Sequence, residues 1–459
     1  MSFRTEKDVL GELEVPSDVY WGINTQRAIQ NFQISGKTFP KIFIVSLGQI
    51  KKACLLANIE LGFLDKEIGD AILQAVNEIL NENKLLDQFP IDIYQTGSGT
   101  QTNMNMNEVL ANRASQILGF PMGKKHPIHP NDHVNKSQSS NDVIPTAMHI
   151  STVHMIKKLI PVLNRLVETL TIKIEEFEEI VKVGRTHLQD AVPIPLSLEF
   201  KVYKRQIETN IERLRHVIDE LLFIPIGGTA LGTGLNAHKD FDKLTVNHLS
   251  KITSLSFKIN PIKAEGISSH NTIANASSNL RLLALSLLKM ANDIRWMGSG
   301  PRAGLSELIL PQNEPGSSIM PGKINPTQSE ALIQVCLQVI GNESVVTSGE
   351  MYGSVLDLNV SKPLMIVNVL ESIDILIGGI NSFIVNCLVD LKANTEQIDS
   401  SLEQMLMLVT NLTPILGYDK CSEIAQRAYK EGKSCKVVIK EMGLKIDHLD
   451  ELLDPKNMV

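Results

Sequence analysis

The sequence predicts an all-α protein whose centre is a bundle of long helices, with smaller N- and C-terminal domains. Three observations predict it. Ile156, Leu159, Leu163, Leu166, Leu170, Ile174 and Phe177 step by three and four, as do Ile207, Ile211, Leu214, Ile218 and Leu221, which is the period of one buried helix face. Leu280 to Met297 is apolar on most faces, as in a helix enclosed by others. Alternating strand patterns are few and short.

Taken in order, residues 1–138 are expected to form an N-terminal helical domain and 139–394 the long-helix bundle. A small C-terminal helical domain follows over 395–459, because Asn394, Thr395 and Glu396 break the preceding apolar pattern. Within the bundle, the period predicts further helices from Gln328 to about Val345 and from about Leu364 to Ala393. Polar punctuation falls at 94–103, 121–141, 183–195, 224–240 and 298–327. The apolar stripes are too broad for a solvated coiled-coil linker and exceed what one short bundle covers, so they predict oligomerisation.

Composition removes several classes of function. A chain of 459 residues has ample material for a large core and two or three domains. A net charge of −7 without any dense basic run argues against nucleic acid as a partner. Aromatics at 5% disfavour base-stacking surfaces. The first residues, Met-Ser-Phe-Arg-Thr-Glu-Lys-Asp, lack the apolar segment of a secretory signal, and Glu6 and Asp8 weaken a mitochondrial transit reading. No apolar run approaches the roughly 20 residues that cross a bilayer, so no membrane partner is expected. Cys54, Cys336, Cys387, Cys421 and Cys435 are odd in number, scattered and without a CxxC pair. Buried thiols in a reducing cytoplasm are expected.

The most informative segment is Gly316-Ser317-Ser318-Ile319-Met320-Pro321-Gly322-Lys323-Ile324-Asn325-Pro326. Glycines let backbone N–H groups turn inward, and a concave row of donors favours anions. Lys323 adds a point charge and Asn325 an amide donor. A hydroxyl among such donors has a lowered pKa, because the charge it acquires is hydrogen-bonded. The segment can therefore bind a carboxylate and also supply a base. An ordinary turn between helices would use the same residue types. A nucleotide P-loop is excluded by spacing: five residues separate Gly316 from Gly322, and Ile324 follows Lys323.

Four other loops carry similar chemistry. Gly97-Ser98-Gly99-Thr100-Gln101-Thr102-Asn103 precedes a helical run, where its hydroxyls serve either as caps or as part of an anion site. His126, His129 and His133 stand at spacings of three and four, but Pro127 and Pro130 deny them the helix that a metal site would need. No metal is read there. Gly184-Arg185-Thr186-His187-Leu188-Gln189 holds a lone histidine in a polar loop just before Pro193 and Pro195. Gly227-Gly228-Thr229-Ala230-Leu231-Gly232-Thr233-Gly234 contains no GxGxxG and no strand–helix–strand frame, so it reads as a structural turn at a helix end.

The segment 316–326 resembles the signature loop of the fumarase/aspartase superfamily, G-S-S-x-M-P-x-K-x-N-P, with every defined position present. Gly322 and Thr327-Gln328-Ser329-Glu330 are similar to the class II fumarases; aspartases usually carry alanine where Gly322 stands. The resemblance runs from Trp21-Gly22 to Leu416-Gly417-Tyr418-Asp419 and beyond. It implies reversible hydration of fumarate to (S)-malate through a carbanion, with no cofactor. It makes Ser317 the proton acceptor and His187 with Glu330 the acid–base pair that handles water. It assigns substrate contacts to Ser98, Gly99, Thr100, Ser139, Ser140, Asn141, Thr186, Ser318, Lys323, Ile324 and Asn325, and an accessory anion site to His129, Pro130, Asn131 and Asp132. It also implies a homotetramer whose sites are shared between chains. The alternatives are an aspartate ammonia-lyase or related fumarate-releasing lyase, and a non-catalytic protein on the same scaffold. Departures stand at Asn24, Asn271 and 354–363, where fumarases commonly read G-N-F-E-L-N-V-F-K-P; losing both phenylalanines puts local packing or subunit contacts in question.

Overall fold

The stepped apolar residues do form helices. The structure, a computed structural model, describes residues 2–459. Its long helices run Ser140–Glu176, Leu196–Leu221, Asn271–Met297, Thr327–Gly353 and Lys362–Phe383. All seven residues of the first stepped set are buried. In the second set Ile207, Ile211, Leu214 and Leu221 are buried, while Ile218 is half-buried and Val217 takes an inward place. Leu280, Leu283, Leu287, Met290 and Ile294 fill the enclosed face of the Asn271 helix, with Ala284 and Ala291 between them.

Contacts divide the chain into two compact units. The first takes the chain up to Ile160, then Glu212–Leu282 and Gln338–Leu376; the second takes Pro161–Ile211, Leu283–Leu337 and Ile377–Val459. In the first unit the Lys41–Glu60 helix packs against the Lys66–Glu82 and Phe241–Thr253 helices. In the second, Val409, Leu412, Ile424, Val438 and Ile439 form a core beneath the C-terminal helices Tyr418–Glu431 and Cys435–Glu441.

Several boundaries differ from expectation. The helix expected to stop near Val345 continues to Gly353, since Gly341 and Gly349 do not break it. The one expected to reach Ala393 ends at Phe383, followed by a π turn over Ile384–Leu388. Lys392 and Ala393 instead pair antiparallel with Ile309 and Leu308. Residues 3–16, within the expected helical domain, form a hairpin of Phe3–Asp8 and Gly11–Pro16. The described residues hold five two-stranded sheets, all small.

Two helices, Lys41–Glu60 and Lys362–Leu388 with its π turn, are long and apolar enough to cross a bilayer by length and composition, contrary to the expectation of none. Counting unbroken apolar runs missed them, because Lys51, Lys52 and scattered polar residues interrupt the runs without lowering the average much. Phe43, Leu47 and Ile50 in the first, and Ile366, Val369 and Ile373 in the second, are fully buried, as in core helices. All five cysteines are free and buried.

Candidate functional site

In the first unit, two helix N-termini meet. The Thr100–Ile117 helix has Gly99 as its N-cap in the left-handed region (φ 73°), with no side-chain cap. Ser98 does not cap it. Its Oγ lies 2.9 Å from Thr100 Oγ1, and Gln95 Oε1 accepts from the Thr102 N–H at 3.1 Å. The hydroxyls of Ser98 and Thr100 thus stand beside a helix start whose dipole favours negative charge. The second start, of the Ser140–Glu176 helix, is tied to it by Asn103, whose Nδ2 donates to Ser140 Oγ at 3.0 Å.

The segment Ser139-Ser140-Asn141 is held by the next residue. Asp142 is fully buried. Its Oδ1 accepts from the Ser139 N–H at 3.0 Å, and its Oδ2 from Gly227 N–H (3.0 Å) and Thr229 N–H (2.8 Å). Asn141 Nδ2 donates to the Ala230 carbonyl at 2.9 Å. The glycine-rich loop therefore braces the second helix start. The expected turn does more than connect.

His129, Pro130, Asn131 and Asp132 lie at the start of a single π turn, Pro130–Val134. His129 Nδ1 accepts from the N–H groups of Asn131 and Asp132, both at 3.2 Å. Acceptance there leaves Nε2 as the ring's donor. Asn131 and Asp132 are exposed.

In the second unit, His187 is at the tip of a hairpin rather than in an irregular loop. Val181–Thr186 pairs with Gln189–Pro195, and Thr186 stands opposite Gln189. The two residues between, His187 (φ 57°) and Leu188 (φ 60°), are both left-handed, as a type I′ hairpin turn requires. That conformation is uncommon for such side chains. The hairpin base is pinned by Glu307, which is buried and pairs with Arg185 Nη1 at 2.6 Å and Lys182 Nζ at 3.1 Å. Thr186 and His187 are both exposed.

The signature segment closes into a ring. Asn325 Nδ2 donates to the Gly316 carbonyl, and Lys323 Nζ donates to Asn325 Oδ1 at 2.8 Å. Gly316 allows this closure, since a Cβ there would collide with the Lys323 carbonyl oxygen. Gly322 turns the chain at φ 82°. Inside the ring, Ser317 Oγ accepts from the N–H groups of Met320 (3.0 Å) and Ile319 (3.3 Å). Ser318, Lys323, Ile324 and Glu330 are exposed. Glu330 lies in the first turn of the Thr327–Gly353 helix, and its carboxylate has no ion pair among the described residues.

Residues 11–341 match the family described as Lyase, and 408–459 match Fumarase C C-terminus. The chain is 47% identical to the mitochondrial fumarate hydratase of Rhizopus oryzae, covering all of this chain and 93% of that one. It is 48% identical to fumarate hydratase class II of Brucella suis, over 99% of this chain and 98% of the relative. The chain belongs to the class II fumarase family. A solved class II fumarase, from Schistosoma mansoni, superposes with a TM-score of 0.97 at 38% identity, over 100% of this chain and 99% of that one.

The departure from the common fumarase pattern at 354–363 is now placed. Leu356, where fumarases have phenylalanine, tips a short hairpin of Ser354–Val355 and Leu358–Asn359 and is 90% exposed. A larger ring there would find nothing to pack against in the same chain. Sequence reasoning missed the residues that brace the fumarase loops: Asp142, Asn103, Asn135 and Lys51. Asp142 directly follows Ser139-Ser140-Asn141, but adjacency alone gives a carboxylate no role. The signal for Asn103 was present, in three asparagines (103, 105, 107) crowding a helix start despite their low helix propensity.

Proposed function

We propose that this chain is a fumarate hydratase in which Ser317 is the base and His187, partnered by Glu330, is the acid–base group for water. The observation that carries this is the pair of N–H groups already bonded to Ser317 Oγ. Serine is far too weak a base unless donors hold its alkoxide, and these donors are positioned to do so.

Read from malate, the Ser317 alkoxide takes a proton from the carbon beside one carboxylate. The electron pair spreads onto that carboxylate, which becomes doubly charged. Lys323, Asn325, Thr186 and Ser318, with Ile324 lining the loop, and the hydroxyls of Ser98, Thr100, Ser139 and Ser140 with Asn141, then bind it more strongly than the ground state. Gly99 brings the backbone close. His187 passes its proton to the departing hydroxyl, which leaves as water. The reverse sequence adds water to fumarate. His129, Pro130, Asn131 and Asp132 form an accessory anion site on the approach.

The proposed assembly is a homotetramer with each site drawn from three chains. Apolar side chains left bare on the long helices support it, including Leu198, Val202, Leu285, Trp296 and Leu337. Exposure of both His187 and Glu330 in the single chain is in keeping with partners on another. Five unpaired thiols fit a reducing compartment, the cytoplasm in our reading.

The test is ultraviolet absorbance of fumarate, with malate, aspartate, argininosuccinate and adenylosuccinate offered in turn. Signal from malate alone supports the hydratase. Signal from an amine donor, with malate inert, would replace it by an ammonia- or amine-releasing lyase.

A further inference from the structure

Lys51 is an ammonium-bearing side chain with almost no surface. It lies mid-way along the apolar Lys41–Glu60 helix and is 2% exposed. Lysine is rarely buried this fully unless paired. Its Nζ donates to Asn135 Oδ1 at 3.0 Å and to Gln138 Oε1 at 2.9 Å. Burial pulls its pKa down and pushes that of nearby Asp142 up, each toward the neutral form, while their mutual attraction opposes both shifts.

The bonds beyond Lys51 have a single direction. Both partners of Nζ are amide oxygens, so it donates to each, and Asn135 turns its oxygen toward Nζ. That same oxygen accepts from Asn103 Nδ2 and from Asn107 Nδ2, both at 3.1 Å. Asn135 Nδ2 is meanwhile committed to the Gln138 carbonyl at 3.2 Å. Asn103 Nδ2 also donates to Ser140 Oγ at 3.0 Å. With its oxygen occupied as acceptor, Ser140 directs its proton outward, where a carboxylate needs a donor.

The arrangement leaves cost behind. Asn103 Oδ1 and Asn107 Oδ1 are buried with no hydrogen-bond partner, and an unmet buried acceptor is destabilising. Turning the Asn103 amide over would satisfy Oδ1 by drawing the Ser140 proton inward. Lys51 makes that turn unfavourable, because the Asn135 oxygen would then lose a donor and face another acceptor.

We infer that Lys51 is a positioning residue that fixes the polarity of the Asn135–Asn103–Ser140 chain, so that the Ser140 hydroxyl is held as a donor to the substrate carboxylate. This rests on the reading of Ser140 as a substrate ligand. Lys51 does not touch substrate, and its effect belongs to binding rather than to proton transfer.

A double-mutant cycle tests it on the full-length chain, with KM for fumarate and Kd for succinate as readouts. Ser140→Ala and Lys51→Met should each raise both by about tenfold, the scale of one hydrogen bond to a charged group, and any fall in kcat should be the same in the two. The double variant should be no worse than Ser140→Ala by more than about twofold, because Lys51 acts through Ser140. Additive effects, or a Kd for succinate that Lys51→Met leaves unchanged, overturn the inference. Lys51→Gln keeps a donor but admits the reversed chain, and takes the place of Met if that variant does not assemble. A parent that binds succinate without hydrating fumarate sinks the hydratase reading alone, while the cycle in Kd still decides the role of Lys51.

Discussion

Met320 donates its backbone N–H to Ser317 Oγ at 3.0 Å, across a ring that Asn325 and Gly316 close. The contact places the proposed base among donors before any substrate arrives, so little reorganisation is needed when the oxygen becomes charged. Ser317→Ala should therefore abolish deuterium exchange into malate from heavy water. The same variant should bind succinate within a few-fold of the parent, since the ring and Ser318 remain. Normal exchange would pass the base role to another residue, and lost binding would make Ser317 a ligand.

His187 sits at a turn position with φ 57°, where asparagine is among the better tolerated residues. His187→Asn should thus keep the hairpin while removing the proton carrier. Turnover is expected to fall on the order of 10²–10⁴-fold, with the sedimentation profile unchanged. Activity within a few-fold of the parent would reduce His187 to a surface residue.

The two glycines of the signature ring should respond differently. A Cβ at Gly316 meets the Lys323 carbonyl, whereas one at Gly322 has nothing within 4 Å but must bear φ 82°. Gly316→Ala should lose malate turnover with helical circular dichroism intact. Gly322→Ala should lose far less, paying only a left-handed penalty of about 1–2 kcal/mol. Equal effects of the two would mean that ring closure does not organise the site.

How much of this was legible depends on the kind of signal. Leu159, Leu163, Leu166 and Leu170 announce their helix because burial on one face imposes a fixed period. The hairpin beneath His187 could not be read that way: its turn is His-Leu, without the Asn-Gly or Gly-Gly that normally marks a type I′ turn. Its Arg185 and Lys182 pair instead with Glu307, more than a hundred residues away in sequence. The ring residues were legible through their resemblance to the family's signature loop, since their residue types alone also suit an ordinary turn. Lys51 was hidden for the opposite reason, since the Lys51-Lys52 pair in an apolar helix reads as an interruption until the buried partners of Lys51 are seen.

Bare apolar side chains on the long helices lead to a further expectation. Trp296 (50% exposed) and Leu337 (55% exposed) are costly to leave in water on helices whose other faces are packed. Sedimentation equilibrium should give four chains, and activity per chain should fall on dilution below the assembly constant. An active monomer would remove both the tetramer and the shared site.

The last expectation concerns acid. His149 is buried, and its Nδ1 faces the Leu221 carbonyl at 3.0 Å, so that nitrogen carries the proton of the neutral ring. Burial pulls its pKa down to about 4 from the usual 6.5. Between those values the unfolded chain binds a proton that the folded chain refuses. Stability therefore rises with pH from about 4 to 6.5 and is lost as pH falls through that window. A difference of this size corresponds to roughly 3 kcal/mol. His270, also buried and displaced further down, acts in the same direction. Asp142, raised by burial to about 7 from the usual 3.8, acts oppositely across the whole of that window, so the parent curve alone does not isolate the histidine. The comparison with His149→Gln does: with urea midpoints measured at fixed chain concentration, the variant should lose less stability than the parent between pH 6.5 and 4.5. Parallel curves would mean that His149 becomes protonated in the folded state as readily as in the unfolded one.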